Sequence, residues 1–451
     1  MSPRHVWQRG LPRLIVIVAV GGLFPMVSQA MAAEGESEGS TLAAIDALAI
    51  ENNQSLHAFD ARARQFGEEA AFEENLWPDP VVEYMLDVSA PWAPHFTTGH
   101  MVRVMQTVPL GGARERRGAP KRASQQVVQA QKAEATVDVL RDIRLHAVEL
   151  ARIDARVALL DEELGLLDDA IGIVEELTGV GEAEHGDLYQ LELARETLLD
   201  RQAELESARR SRRAVLAGRL GVETDRLEGV EFSADLLDEW LVELPSRDEL
   251  VELGMRAEPG IQTLEAEAVV AGTQIELVEE RYRPWPRLMV GYSNMPPMWE
   301  MDGPRDQMLQ VGVSISLPWF GGQYDYEASQ WQAARESAEQ EQAQRREEVR
   351  ARIEELLIRW DADRKRLIRH ETELLPLATD LAQQVLVGVE VGERSAAEFL
   401  LSVRQEIEIE GRVIELRADL LEQLIELQRW TGGRIGADQN WAYPEEVGVE
   451  Q

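Results

Sequence analysis

The sequence contains no cysteine, and that one absence removes disulfides, thiol nucleophiles, thiolate metal sites and an acylated N-terminal cysteine together. Apolar runs long enough to span a bilayer as a helix are also missing; the longest, Leu14 to Phe24, is too short. Catalytic signatures are absent as well. There is no zinc-protease helix motif, no phosphate-binding glycine loop and no nucleophile elbow, and the seven histidines are scattered. Basic residues are scarce beside acidic ones, 46 Lys and Arg against 82 Asp and Glu, a formal charge of −36. Such a chain repels nucleic acid and anionic lipid surfaces, and a water-filled passage through it would favour cations. Nothing in the composition calls for a cofactor.

What is present begins with Arg4, Arg9 and Arg13, then the apolar run, then Ser28-Gln29-Ala30 or Met31-Ala32-Ala33 as cleavage sites. This reads as a secretory signal over residues 1–33. Its loss removes three arginines and takes the formal charge to −39. A membrane crossing by the exported chain must then be made by strands.

Met308 to Gly322 supplies one. Leu309, Val311, Val313, Ile315 and Leu317 alternate with Gln310, Gly312, Ser314 and Ser316, which predicts a strand with one oily and one wet face. Nine residues before Pro318 approach the ~9–11 that a tilted strand needs to cross a bilayer. A soluble antiparallel strand would read alike, so the surroundings must decide.

Helical spacing from Thr41 to about Asn75 stops at Trp77-Pro78-Asp79-Pro80. Val81–Val88 and Met101–Val108 follow as strands, the second with Arg103 among methionines. A long helix is expected from Pro120, a residue suited to a first turn, to Leu177, about 87 Å at ~1.5 Å per residue. Its seam runs Leu140, Ile143, Ala147, Leu150, Ile153, Val157, Leu160, Leu164, Leu167, Ile171 and Val174, in coiled-coil steps with one stammer. No compact globule of this size contains such a rod. Gly179-Val180-Gly181 breaks it, and Asp187 is the expected N-cap of a return helix to about Leu220.

The plan then repeats. Leu250 to Arg281 is helical with a break at Pro259-Gly260, and Arg283-Pro284-Trp285-Pro286 echoes the first tryptophan–proline stop 206 residues earlier. Strands follow at Leu288–Met295 and Leu309–Leu317. A second rod runs from about Asp325 to Val387, breaks at Gly392, and returns from Ala396 to Trp430. An offset of 211 places Gly392 on Gly181, Glu398 on Asp187 and Pro376 on Gly165, so both rods are expected to bend there. The repeats span 41–235 and 243–431, and an acidic tail, 432–451, is expected to be poorly ordered.

Four strands are too few to close a barrel, and hydrocarbon does not tolerate their open edges, so several chains must share one. Trp77, Tyr282, Trp285, Trp319 and Phe320 at the helix side, with Trp92, Phe96 and Trp299 at the loops, fall where interface girdles would lie.

With WPDP before the first strand, TVPLGG after the second, SISLPWFGG after the fourth and ELLPLA in the last rod, the chain resembles the outer-membrane efflux (TolC-like) family over nearly its whole mature length. The resemblance implies a mainly α fold with a small β part. It implies a homotrimer with a twelve-stranded barrel in outer-membrane lipid, continued by a periplasmic helical tunnel. It also implies a periplasmic adaptor and an inner-membrane pump as partners, and export from a Gram-negative cell as the role. By motif position the periplasmic gate would be Asp187 with Arg394 and Glu398. Adaptor-docking tips would include Gly181, His185, Gly392 and Ser395. Two positions depart from the family pattern: Val389 stands where a gating tyrosine often lies, and Leu401 where an aspartate can ring the pore.

Glu182, Glu184, Glu390 and Glu393 would form an acidic mouth that concentrates cations, or simply solubilise exposed loops. Met295, Met298 and Met301, with Met308 beyond and His95 and His100 in the first loop, suit soft copper or silver ions, although flexible loop packing is the commoner use of methionine. Rival readings are a soluble periplasmic coiled-coil scaffold, a secreted hydrolase with an acidic site, and the outer-membrane component of type I protein secretion. Substrate class, whether metal, drug or polypeptide, is left open.

Overall fold

In the computed structural model the described residues are 41–88, 98–181, 184–227, 232, 234–238, 243–283, 285–295, 305–315, 317, 322–391, 393–433 and 435. The expected signal, nearly all of the tail, Glu182, Gly392, His95, Met298, Met301, Trp92, Phe96, Trp299, Trp319 and Phe320 lie outside them.

The N-terminal helical stretch is two helices, α1 (Thr41–Asn52) and α2 (Gln54–Asn75). Asn53 divides them, because its side chain accepts from the Ser55 and Leu56 amides at 2.9 and 3.3 Å and caps α2. Strands β1 (Val81–Val88) and β2 (Thr98–Thr107) follow, then the rod α3 (Ala113–Val180) and its return α4 (His185–Leu220). After short 3-10 turns the order runs again as α5 (Arg247–Ala257), α6 (Pro259–Glu280), β3 (Pro286–Met295), β4 (Asp306–Ile315), α7 (Gly322–Arg369), a π turn (His370–Leu374), α8 (Leu375–Glu390) and α9 (Ala396–Trp430).

Three expectations are corrected by these bounds. Rod α3 starts seven residues before Pro120, because Gly111 and Gly112 adopt left-handed φ of 59° and 76° and turn the chain straight into Ala113. Pro120 therefore sits inside the helix, which at 68 residues is ~102 Å long. Strand β4 begins at Asp306 and ends at Ile315, earlier than its oily residues alone indicated. The bend is present in one rod only. α3 passes through Gly165 unbroken, whereas the second rod carries the π turn, with the Leu375 amide donating to the His370 carbonyl and Pro376 following. Glycine keeps its N–H and can stay in the ladder; proline has none to give. From Gly322 to Glu390 the second rod spans 69 residues, one more than the first.

The sheet has the order β1-β2-β3-β4, antiparallel throughout. Register aligns Val82, Val104, Val290 and Val311 in one cross-strand row and Tyr84, Val102, Tyr292 and Leu309 in the next. Side chains opposite one another share a face, so these rows make a continuous oily surface. It is uncovered: Leu309 is 74% exposed, Val311 78% and Val313 63%.

Apolar burial lies in the helices. In the main core α1, α3, α4, α5, α7 and α9 meet around Leu42, Leu140, Leu220, Leu250, Ile353 and Leu424. Arg144 is buried there between Asp46 and Gln428. A second, smaller core joins the far ends of α3, α4, α8 and α9 through Val174, Leu191, Val389 and Phe399. Val389 is therefore a packing residue in this chain. Most of the expected α3 seam is buried, with Val157, Leu164 and Ile171 half-buried.

Candidate functional site

The two rod tips are built alike from unequal residues. At the first, Gly181 closes α3 with a left-handed φ of 84°, its amide reaching the Leu177 and Thr178 carbonyls. The N-cap of α4 is Glu184, which makes no side-chain capping bond; Asp187 is the third residue of the helix, a correction to the expected cap. Glutamate is a less favoured N-cap than serine, threonine, aspartate or asparagine, and here its exposed side chain makes no bond to the N3 amide. Asp187 keeps a favourable place beside the positive helix end. At the second tip, Ser395 caps α9 in a full capping box with Glu398, the residue matching Asp187.

Arg394 is held locally. Its Nη1 donates to Glu398 Oε1 at 3.4 Å, and its amide and that of Glu393 reach the Gly388 carbonyl at 3.0 and 2.8 Å. No ion pair joins Arg394 to Asp187 among the described residues of this single chain. Glu184, His185, Glu390 and Glu393 are exposed beside them, as are the apolar Val180, Tyr189, Leu193, Val391 and Leu401.

Behind the tips, α3, α4 and α9 enclose a groove of about 1060 Å³ lined by Glu163, Arg201, Arg404 and His370. Burial pushes the Glu163 carboxyl up, opposed by the two arginines. Toward the sheet, α6, α7 and α9 are tied by Glu258, which is fully buried. It caps α6 at the Ile261 amide and accepts from Arg345 at 2.7 Å and Arg429 at 2.9 Å. Both guanidinium groups also stack on Trp430. Burial works to raise the Glu258 carboxyl, but Arg345, the Ile261 amide and Arg429 together hold it below its ordinary value. The sequence signal for this knot was Glu258 just before Pro259-Gly260, where a helix must start.

At the sheet's helical end, Trp77 and Trp285 each lie under an arginine of the α3 first turns, Arg114 at 5.1 Å and Arg117 at 5.4 Å. The Tyr282 hydroxyl donates to Asp325 at 2.5 Å, and that bond pushes its pKa up to about 12. Arg103, which spoiled the alternation of β2, pairs with Glu83 at 3.2 Å and packs its stem over Gly291. A glycine within a strand is the mark of such close approach. His100 falls on the oily face, where the Tyr84 hydroxyl meets its Nδ1 at 2.7 Å, and so stands apart from the methionines. Met295 ends β3, opposite Asp306. Among the described residues no group of three or more His, Asp or Glu side chains is placed to hold a metal, and no helix is long and apolar enough to cross a membrane.

A short sheet, oily and bare on one side and carried on paired rods, is an arrangement shared with solved outer-membrane channels. The chain superposes on the outer-membrane channel OprN with a TM-score of 0.67 at 15% identity, covering 87% of this chain and 90% of that one. On the outer membrane protein VceC of Vibrio cholerae the TM-score is 0.67 at 14% identity, over 87% and 96%. On the open state of the Neisseria gonorrhoeae MtrE outer membrane channel it is 0.66 at 15% identity, over 87% and 89%. No protein-family model matches the sequence, and neither does any curated protein. The chain has the TolC-like fold that its motifs resembled.

Proposed function

We propose that the protein is the outer-membrane exit duct of a tripartite export system in a Gram-negative cell, without chemistry of its own. The observation that carries this reading is the bare oily face of a sheet whose two edges are open among the described residues. Unpaired edge groups cost several kcal/mol each in hydrocarbon, and four strands cannot close on themselves. Three copies give twelve strands, each β4 edge meeting a neighbour's β1. Strands of eight to ten residues, tilted ~45°, match an apolar band ~25 Å tall. Trp77 and Trp285 would stand at the periplasmic interface and the rods beyond it. The exposed apolar residues near the tips, Tyr189, Leu193 and Val391, support a cover supplied by sister chains.

Division into repeats 41–235 and 243–431 belongs to the same reading. So does a gate at Asp187, Arg394 and Glu398, with Gly181, His185, Gly392 and Ser395 receiving an adaptor and Glu182, Glu184, Glu390 and Glu393 drawing cations to the mouth. A periplasmic adaptor and an inner-membrane pump would drive transport. Cell fractionation followed by sizing in detergent tests the proposal: the mature chain should require detergent for extraction and migrate as a trimer. A water-soluble monomer would remove the pore and the export role with it.

A further inference from the structure

Six methionines lie in the four strands, and the register puts all six on the face opposite the oily one: Met85, Met101, Met105, Met289, Met295 and Met308. Met85, Met101 and Met308 form a single cross-strand row with Ser293 between the last two. Met105 and Met289 stand four residues along, and the Glu83–Arg103 pair lies between the rows.

Core packing does not account for the first row. On the edge strands Met85 and Met308 are 45% and 52% exposed, and Met101 between them is half-buried. Leucine would fill the same volume, and serine or glutamine would wet the wall better; what methionine adds is a weakly hydrated, polarisable sulfur. Opposed residues on neighbouring strands have Cβ atoms ~5 Å apart, so the Met85 and Met101 sulfurs can reach one ion. The Met101 sulfur accepts a hydrogen bond from Arg103 Nη2 at 3.3 Å, so one of its two lone pairs is already engaged by a cationic group on this face and the other is left for a ligand. Glu83 neutralises that guanidinium. Ser293 is 1% exposed, and its hydroxyl has no hydrogen-bond partner among the described residues, an unused oxygen donor inside the same row.

We infer that the Met85, Met101 and Met308 row is a binding site for soft monovalent metal cations, Cu(I) or Ag(I), on the wall of the pore. Thioethers select such ions over hard ones, and the acidic chain draws cations toward them. The inference rests on the proposed pore, in which this face lines the lumen and three rows close into one ring. Cargo passing this ring would be handed between sulfurs without leaving a soft-ligand environment.

Silver is a clean probe because the chain has no thiol to compete. Purified detergent-solubilised protein is titrated with silver nitrate in nitrate buffer by calorimetry, and its single-channel current is recorded in planar bilayers as silver is added. The expected result is silver binding, and a current reduced by silver but not by sodium at equal concentration. The triple variant Met85→Leu, Met101→Leu, Met308→Leu should weaken both at least tenfold, while Met255→Leu in α5 should change neither. Silver binding lost in the triple variant of a protein that forms no channel leaves the site standing and sinks the duct. A conducting protein that ignores silver, or whose triple variant responds like the parent, overturns the site and leaves the duct.

Discussion

Arg394 lies across Gly388, so that a Cβ at position 388 would collide with the Arg394 Cγ. The absence of a side chain at one residue thus fixes where a charge sits at the tip, folded against α8 and within reach of Glu398. Gly388→Ala should favour the helix by about 1 kcal/mol in propensity yet displace the arginine. If Arg394 holds the tip closed, Gly388→Ala and Arg394→Ala should both raise single-channel conductance in planar bilayers, as should Asp187→Ala. Unchanged conductance in all three would remove the charge gate.

Breaking the knot at Glu258 has a calculable direction. Glu258→Gln leaves the half-buried Arg345 and Arg429 without their shared carboxylate, while Arg345 keeps Glu348 and Arg429 keeps Asp138, so the loss falls at or below the lower end of the about 3–5 kcal/mol that breaking a buried pair costs. The folded carboxyl titrates below its unfolded value, so its contribution is present above the unfolded pKa and is lost as pH falls through the folded one. Thermal unfolding should show a deficit for the variant at pH 7 that shrinks on acidification. A deficit that grows at low pH would contradict the assignment.

Glu163 carries the opposite sign. Burial raises its folded pKa, so the charged form is penalised above that value and the penalty fades as pH falls through it. Glu163→Gln should therefore raise Tm at pH 8, by the order of 1–2 °C for a chain of this size, with the gain vanishing in acid. Scanning calorimetry at two pH values decides it.

On the sheet, the two faces should answer differently to the same charge. Val311→Arg places a guanidinium on the oily side, where it costs about 2–4 kcal/mol per chain at the bilayer midplane. Gln310→Lys, one residue away on the other face, should be tolerated. Recovery of the protein from outer-membrane fractions, as the proposed trimer, is the measurement, and equal recovery of the two variants would remove the lipid-facing assignment.

Capping gives a local prediction. Ser395→Ala should cost about 1 kcal/mol at the start of α9, whereas Glu184→Ala, at the matching position without a capping bond, should cost little. Amide hydrogen exchange at the two helix starts distinguishes them.

Periodicity and punctuation were enough to read the element order and the two-faced strands. Each depends on local chemistry: alternation over β4, the tryptophan–proline stops, and the coiled-coil seam of α3. The sequence also determined which face of each strand is oily, since period two leaves no choice once one residue is placed. It could not show where α3 begins, because Pro120 looks like a first-turn residue until Gly111 and Gly112 are seen to turn the chain. Nor could it tell that Gly165 stays helical while the chain inserts an extra residue ahead of Pro376, for that difference lies in one missing N–H. Tertiary structure alone brought Glu258, Arg345 and Arg429 together across three helices, and set Met85, Met101 and Met308 in one row. Register between β2 and β3, whose partners such as Met101 and Ser293 are far apart in the chain, is fixed by pairing, and no local pattern carries it.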